Sequence, residues 1–327
     1  MPARGFCRNY PGKLKFIVIR IFEYQNKNTK KINNMKKIIN KQLHILVSNM
    51  EQLKAAVSMN MRPQRLYIDY HMLLDEVPSL VEQVSDDIDI YVALPYMMRN
   101  ETGLEGIRDI QRIWKSCSSF SKGFLVRNLE ELAFLSLNED GTFDGRIICD
   151  YGIYMWNHGA ADLFLGQMRV DEGCIPYELN RHELGEFLKS VDGKADYVFS
   201  SCIYGYIPMM VSAGCVKKTM NNCSGRFGTN YTAYDGITDR KNNSMKVLTD
   251  CRQCLNIIYN SVPLSLHKQI ESLSKENGIT AFRIDLTTES GRDAKLILNF
   301  WEELLEGGRG EAPYKEYTTG HYKRGTE

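Results

Sequence analysis

The sequence predicts an α/β fold: an incomplete or distorted (β/α) TIM-like barrel, followed by a cysteine-rich metal-binding region. Seven short apolar segments recur along the chain, and amphipathic segments lie between most of them. Strands that alternate with helices in this way are typical of a parallel sheet. A later stretch carries four cysteines separated by polar turn residues, and this stretch predicts the metal-binding region.

Length and composition are compatible with such a fold. The chain has 327 residues, of which 43% are hydrophobic, so it can bury a sizeable core. Its formal net charge of +1 excludes the strong global field that gathers nucleic acid, although a local patch stays possible. We expect a poorly ordered leader or junction at 1–42, a barrel-like domain at 43–203, and a cysteine-rich region with closing strand, helix and tail at 204–327.

The predicted barrel elements begin at Leu43. An apolar run at 43–48 ends in Ser48, and Glu51 three residues later predicts a helix that opens with a capping box. The other strand candidates share an apolar character: 66–70, 88–95, 122–128, 145–151, 174–180 and 195–201. The clearest helix candidates share an amphipathic pattern: 104–117, 129–137 and 181–191. Seven strand segments in place of eight predict that the barrel is incomplete.

Polar residues stand at the ends of several predicted strands. In a β/α barrel these ends surround one mouth, where catalytic groups gather. The candidates are Asp69, Arg127, Asp150 and Glu178. Asp150 and Glu178 end successive strands, so the two carboxylates can bind a substrate cation or carry out acid–base chemistry. Arg127, Asp150 and Glu178 are therefore the catalytic candidates.

Two alternatives stay open at this stage. An open doubly wound sheet would also alternate strands and helices, but no glycine-rich phosphate turn follows any predicted strand. Asn128 and Asn180 also end strands, and they are equally consistent with simple N-caps of the helices that follow.

The segment after the cysteines predicts three further elements. Residues 262–278 predict a helix closed by Gly278, residues 279–287 a further strand, and residues 291–305 the last helix. The tail at 307–327 is rich in Gly, Tyr and basic residues, which favours a solvated segment.

Four of the nine cysteines have C-x7-C-x27-C-x2-C spacing: Cys215, Cys223, Cys251 and Cys254. Thiolates are the ligands that zinc and iron–sulfur clusters prefer, and four of them complete either kind of site. The spacing matches neither a zinc ribbon nor a ferredoxin. The alternative is a set of buried, inert thiols, but the polar residues around these cysteines disfavour a core segment.

The compartment follows from the cysteines and the N-terminal region. An odd number of cysteines and the lack of a charged-then-apolar leader predict a cytoplasmic protein without disulfides. The apolar run at 16–22 is too short for a signal core or a membrane span, so no membrane partner is expected.

Several blocks of the sequence are familiar in the order in which they occur. LVRNLEEL, DYGIYMWNHGA, YELNRHEL, YGYIPMMVSAGC, CRQCLNIIYNSVPLSL, FRIDLT and TTGHYKRG resemble the peptidase U32 family, the collagenase-like proteases. The resemblance runs from Leu43 to Gly325 and is strongest to the C-terminal half of the long members. It implies a partner chain that carries the missing N-terminal half.

The family signature is similar to E-x-F-x2-G-A-L-C-x4-G-x-C. When its glycine is placed on Gly205, Ser200 takes the place of the glutamate, Pro208 that of the first cysteine, and Cys215 that of the second. One signature ligand is therefore missing. The resemblance implies a [4Fe–4S] cluster, for which the three later cysteines would complete the set, with zinc as the alternative metal.

Three functions are compatible with these features. The family name implies a peptidase, although the sequence has no G-x-S-x-G or H-E-x-x-H motif. The cysteines are compatible with an iron–sulfur-dependent hydroxylase of RNA bases or of a small aromatic substrate. A structural zinc site would suit a non-catalytic accessory subunit. The expected substrate is accordingly protein or RNA.

Overall fold

The computed structural model describes most of the chain from residue 41 onward. The described residues are 41–73, 81–84, 86–98, 104–138, 141–193, 196–214, 216–219, 232–251 and 253–325. The expected leader at 1–42 lies almost wholly outside the described residues, and so do Cys215 and Cys223.

Eight parallel strands form a closed barrel. They are β1 (Gln42–Val47), β2 (Arg65–Asp69), β3 (Asp89–Ala93), β4 (Ser121–Val126), β5 (Arg146–Cys149), β6 (Glu172–Ile175), β7 (Phe199–Gly205) and β13 (Ile279–Asp285). Consecutive strands pair in parallel from β1 to β7, and β13 pairs in parallel with both β7 and β1. The expectation of an incomplete barrel is therefore wrong, because the late strand supplies the eighth position. The TIM-like α/β fold is confirmed.

Helices follow several strands and cover the outside of the barrel. They are α1 (Met50–Val57), α2 (Leu104–Cys117), α3 (Leu129–Leu137), α4 (His158–Ala161, continued by one π-helical segment, Asp162–Gln167), α5 (Arg181–Val191) and α8 (Gly291–Leu305). Asn128 caps α3, and Asn180 forms a capping box with Glu183 at the start of α5. The capping interpretation of these two asparagines is confirmed. At α1 the cap is Asn49 in place of Ser48.

A small antiparallel sheet is inserted between β7 and β13. It consists of β8 (Pro208–Ser212), β9 (Thr232–Thr238), β10 (Ser244–Asp250) and β11 (Leu255–Tyr259), in the order β8-β11-β10-β9. A four-residue helix, α6 (Val216–Thr219), follows β8. The long gap between the second and third cysteines thus contains two strands and not only turns. The barrel includes strands on both sides of the expected boundary at 203/204.

The segment that follows the small sheet differs from the single helix expected at 262–278. It contains the two-residue strand β12 (Leu264–Ser265), which pairs antiparallel with β7, and a short helix, α7 (Ile270–Leu273). The pairing of β12 with β7 occupies the start of the expected helix, so α7 begins only at Ile270. The tail is packed in part, since Tyr322 is buried and the carbonyl of Thr318 accepts from the backbone N–H of Ser265. Its basic residues Arg309, Lys315, Lys323 and Arg324 are exposed.

Candidate active site at the barrel mouth

The C-terminal ends of the barrel strands bring together a buried group of charges. We call Asp69, Arg127, Asp150, Arg283 and Asp285 the mouth cluster; all five are nearly inaccessible to solvent. Arg127 lies at the centre of one half of it. Its Nη1 is 3.2 Å from an oxygen of Asp69, and its Nε is 3.4 Å from an oxygen of Asp150. Strand ends that are far apart in sequence therefore meet at one point, as the parallel barrel requires.

Arg283 completes the other half of the mouth cluster. Its Nη2 donates to Asp150 at 2.7 Å, and its Nε and Nη2 donate to the two oxygens of Asp285 at 2.7 and 2.9 Å. Asp150 thus accepts a hydrogen bond from Arg283 and forms an ion pair with Arg127. A buried charge without a partner is costly, so this alternation of cations and anions is what makes the cluster tolerable inside the barrel.

The electrostatics of the cluster favour ionised side chains at its centre. Burial opposes the ionisation of Asp69, but His71 and Arg127 together outweigh burial and lower the pKa of this carboxyl. Burial also works against the charge of Arg127, yet the neighbouring Tyr96, Asp69 and Asp150 hold its pKa well above the usual range. Asp285 differs, because burial dominates and raises its pKa.

His71 connects the mouth cluster to solvent. Its Nδ1 is 2.7 Å from Asp69, its Nε2 is 3.0 Å from the backbone carbonyl of Ser48, and its side chain is 15% exposed. A carbonyl oxygen only accepts hydrogen bonds, so Nε2 must donate. The Asp69 carboxylate also accepts, so the arrangement is satisfied in full when the ring carries both protons. His71 is therefore a proton-bearing group fixed in orientation at the mouth.

The small sheet packs over this mouth. Tyr70, which follows Asp69, donates from its hydroxyl to Asp250 at the end of β10, with a distance of 2.7 Å. Tyr259 on β11 is buried and interacts with Tyr96, whose ring lies 4.2 Å from the guanidinium carbon of Arg127. The ends of β10 and β11 therefore lie directly against the mouth cluster.

Cys251 and Cys254 occupy the turn between β10 and β11. Asp250 pairs with Leu255, so the two cysteines begin and end a four-residue connection. Cys254 adopts a left-handed backbone conformation with φ of 48°, and both side chains are partly exposed. Two thiols in one short, accessible turn suit the first half of a tetrahedral or cluster-type ligand set.

A buried asparagine connects this turn with the neighbours of Cys215. Asn256, two residues after Cys254, accepts a hydrogen bond from the backbone of Val216 at 3.4 Å and donates to the carbonyl of Gly214. Gly214 and Val216 flank Cys215 in the sequence. Within the described ranges, no three His, Cys, Asp or Glu side chains are grouped as a metal ion would need.

Glu178 does not belong to the mouth cluster. It lies three residues beyond the end of β6 and is half-buried beside Tyr177, whose ring packs on Tyr151 at 4.8 Å. Burial raises the pKa of Glu178, and the nearby His321 opposes that shift. Of the four strand-end residues, Asp69, Arg127 and Asp150 are thus in direct contact, and Glu178 stands apart on the rim.

Three residues of the mouth were missed from sequence: His71, Arg283 and Asp285. Asp285 ends the strand FRIDLT just as Asp69 ends LYIDY, so the strand-end rule applied to the late strand would have found it. Arg283 stands two residues earlier and hence on the same face of the strand. His71 gave no comparable signal, since it follows the strand within a single 3-10 turn.

Comparisons with known proteins add little to these observations. No protein-family model matches the chain, and no curated protein matches it. Among solved structures, the chain is similar to the chitinase ChiW from Paenibacillus sp. str. FPU-7, with 9% sequence identity and a TM-score of 0.39. That match covers 81% of this chain and 33% of the chitinase chain, so this protein spans about a third of the chitinase's length. No described helix is long and apolar enough to cross a membrane.

Proposed function

We propose that this protein is an enzyme of the peptidase U32 type that hydrolyses peptide bonds at the barrel mouth. The observation that carries the proposal is His71, which is held between Asp69 and the Ser48 carbonyl and is partly open to solvent. An oriented imidazole is the group most often used to move protons near neutral pH. The resemblance of the sequence to the U32 family supports the same conclusion.

The proposed reaction gives each mouth residue a task. Nε2 of His71 turns from the Ser48 carbonyl to the substrate. Water attacks the peptide carbonyl, the carbon–nitrogen bond breaks, and His71 gives a proton to the leaving nitrogen and regains one from the attacking water. Asp69 holds the ring in position. Arg127 and Arg283 do not touch the substrate; they keep Asp69 and Asp150 in place and so fix the electrostatic field in which His71 works.

Gelatin hydrolysis by the purified protein tests this proposal, with and without a chelator. His71→Gln should lower the rate about 100-fold or more, as is usual when a general acid–base group is lost. Glu186→Gln on the exposed face of α5 is the matched control and should leave the rate unchanged. A wild-type protein that leaves gelatin intact, or a His71 variant with full activity, would disprove the proposal.

A second function is favoured by the position of the C-x2-C turn. The Tyr70–Asp250 hydrogen bond ties this turn to the mouth, and Asn256 ties it to the neighbours of Cys215. These contacts support a [4Fe–4S] cluster held beside the mouth, or zinc as the alternative, by Cys215, Cys223, Cys251 and Cys254. A cluster would supply electron transfer for the hydroxylation of an RNA base or a small aromatic substrate.

Metal analysis after anaerobic purification separates the possibilities. A cluster predicts about four iron and four sulfide per chain, whereas a structural zinc site on an accessory subunit predicts about one zinc. Cys251→Ala should abolish the metal, while Cys117→Ala, on α2 and outside the set, should retain it. Full metal content in Cys251→Ala would exclude this ligand set.

A cytoplasmic location and a partner chain that supplies a further half are part of the same proposal. Cell fractionation tests the location, and co-purification from the native source tests the partner.

A further inference from the structure

Two exposed aromatic rings stand on the rim of the mouth, just after β5. Tyr154 is 54% exposed and Trp156 is 38% exposed, and their ring centroids are 6.5 Å apart with the planes tilted by 54°. Tyr154 also adopts a left-handed backbone conformation, with φ of 58°. A bulky residue seldom takes that conformation, and such strain often marks a functional position. The rings therefore form an open corner facing solvent.

A carboxylate lies beside this corner. Glu178 follows the neighbouring strand β6, and its Oε2 is enclosed with no hydrogen-bond donor among the described residues. The residue as a whole is half-buried. Burial raises the pKa of Tyr154, and the negative charge of Glu178 raises it further. Glu178 thus has one enclosed oxygen, Oε2, that accepts no hydrogen bond from the described residues.

Basic residues are sparse in the chain around the two rings. Between Asp150 and Asn180 the sequence has one Lys or Arg, Arg169, whose Nη1 donates to the carbonyl of Phe143 at 3.1 Å. His321 from the tail is the basic group that faces Glu178, and its Nδ1 is already bonded to the carbonyl of Gly325 at 2.7 Å. Aromatic faces attract cations, and a carboxylate strengthens that attraction.

We propose that Tyr154, Trp156 and Glu178 form a subsite for the positively charged side chain of a substrate polypeptide, an arginine or a lysine. The cation lies in the corner between the rings, and Glu178 turns to accept from it. The subsite rests on the proposed peptidase function for its role, which is to select a basic residue near the bond to be cleaved. Its binding, however, needs neither turnover nor a metal.

Tryptophan fluorescence of the full-length protein tests the subsite. Trp156 is the exposed tryptophan, whereas Trp114 and Trp301 are 8% and 0% exposed, so a ligand at the rim changes chiefly the Trp156 signal. The two probes are Nα-acetyl-L-argininamide and its citrulline counterpart, which has nearly the same shape without the charge. The arginine probe should give a saturable change, and the citrulline probe should bind about tenfold more weakly or not at all.

Substitutions at the rim test whether the arginine probe binds to the proposed subsite. Glu178→Gln keeps the shape of the side chain and should weaken arginine binding by about fivefold or more, while Glu186→Gln on α5 should leave it unchanged. Trp156→Phe should remove the optical signal, and calorimetry then measures the remaining affinity. A thermal melt checks that each variant is folded.

The outcomes are separable from those of the proposed function. Equal binding of the two probes, or a folded Glu178→Gln protein with full arginine affinity, would overturn the subsite. The absence of a saturable change with arginine would also overturn it. Arginine binding that depends on Glu178, in a protein that does not hydrolyse gelatin, would support the subsite and exclude the proposed peptidase function.

Discussion

The barrel encloses charges at both ends, and the two ends differ. At the N-terminal ends of the strands, a floor cluster consists of His44, Arg65 and Glu172, with Arg65 Nη1 2.7 Å from Glu172. Six buried apolar and tyrosine side chains pack together inside the barrel: Leu46, Tyr67, Tyr91, Ala93, Leu125 and Ile148. Burial and the nearby Arg65 and Arg283 lower the pKa of His44, which keeps its ring neutral.

The difference lies in what surrounds each group. Both clusters contain buried atoms without a hydrogen-bond partner among the described residues: His44 Nδ1, Arg65 Nε and Glu172 Oε1 in the floor cluster, and Arg127 Nε and Arg283 Nη1 in the mouth cluster. The mouth cluster contacts the partly exposed His71 and lies under Tyr96 and the β10–β11 turn. A buried charge by itself therefore does not indicate an active site. The mouth cluster differs from the floor cluster because Asp69 contacts the imidazole of His71, which is partly exposed to solvent.

The largest expected effect is that of Asp150→Ala. The change leaves both Arg127 and Arg283 short of an anion inside the barrel, and it should destabilise the protein by about 4 kcal/mol. Urea unfolding measures the loss. Asp150→Asn, which keeps the shape and one acceptor oxygen, should lose clearly less. A loss below about 1 kcal/mol for the alanine variant would show that the mouth cluster is solvated and not sealed.

We expect the stability of the protein to depend on pH through Glu131, which lies beside the mouth cluster. This residue is fully buried and accepts from the backbone N–H of Arg127, and burial raises its pKa to about 8. The folded state thus holds a proton that the unfolded state loses near pH 4.5. Stability present below pH 4.5 should decline as the pH rises to about 8, by on the order of 4 kcal/mol.

Denaturant unfolding at several pH values measures this decline. Burial also raises the pKa of Asp250, Asp285 and Glu289, so the informative quantity is the difference between the wild type and Glu131→Gln. The variant should lack the Glu131 part of the dependence and should be the more stable protein at pH 8. Identical pH profiles would mean that Glu131 is ionised in the folded protein.

Glu172→Gln tests whether the floor is structural only. Arg65 would lose its anionic partner, which should reduce stability by about 3 kcal/mol. The rate per folded molecule should stay unchanged, in contrast to His71→Gln. If both variants lowered activity equally, at a temperature where both are folded, the floor cluster could not be called purely structural.

The smallest expected effect is that of Tyr70→Phe. It removes the hydrogen bond to Asp250 and should cost about 1.5–2 kcal/mol, because the acceptor is a buried carboxyl. Hydrogen exchange of the β10 and β11 amides should accelerate, while exchange in β1 and β2 should not. Uniform acceleration over the whole chain would show that the small sheet and the barrel unfold as one unit.

Local patterns in the sequence predicted most of the fold and part of the mouth cluster. Seven barrel strands follow from apolar runs, and the strand-end rule brought Asp69, Arg127 and Asp150 together correctly. The same rule also selected Glu178, which lies in the loop after β6, on the rim of the mouth and outside the buried cluster, because β6 ends at Ile175. Barrel closure could not be predicted from local patterns, since it depends on a pairing between β1 and a strand separated from β7 by a whole inserted sheet.

That closing pair sets an order of events during synthesis. Leu43 is among the first described residues to leave the ribosome, yet its partner Phe282 follows after nearly all of the described chain. Until then, the edges of β1 and β7 are both unpaired, and an open sheet edge invites pairing with other chains. Contacts so distant in sequence also form slowly. The barrel of the nascent protein therefore cannot close before β13 has been synthesised, so the inserted sheet between β7 and β13 lengthens the time before closure.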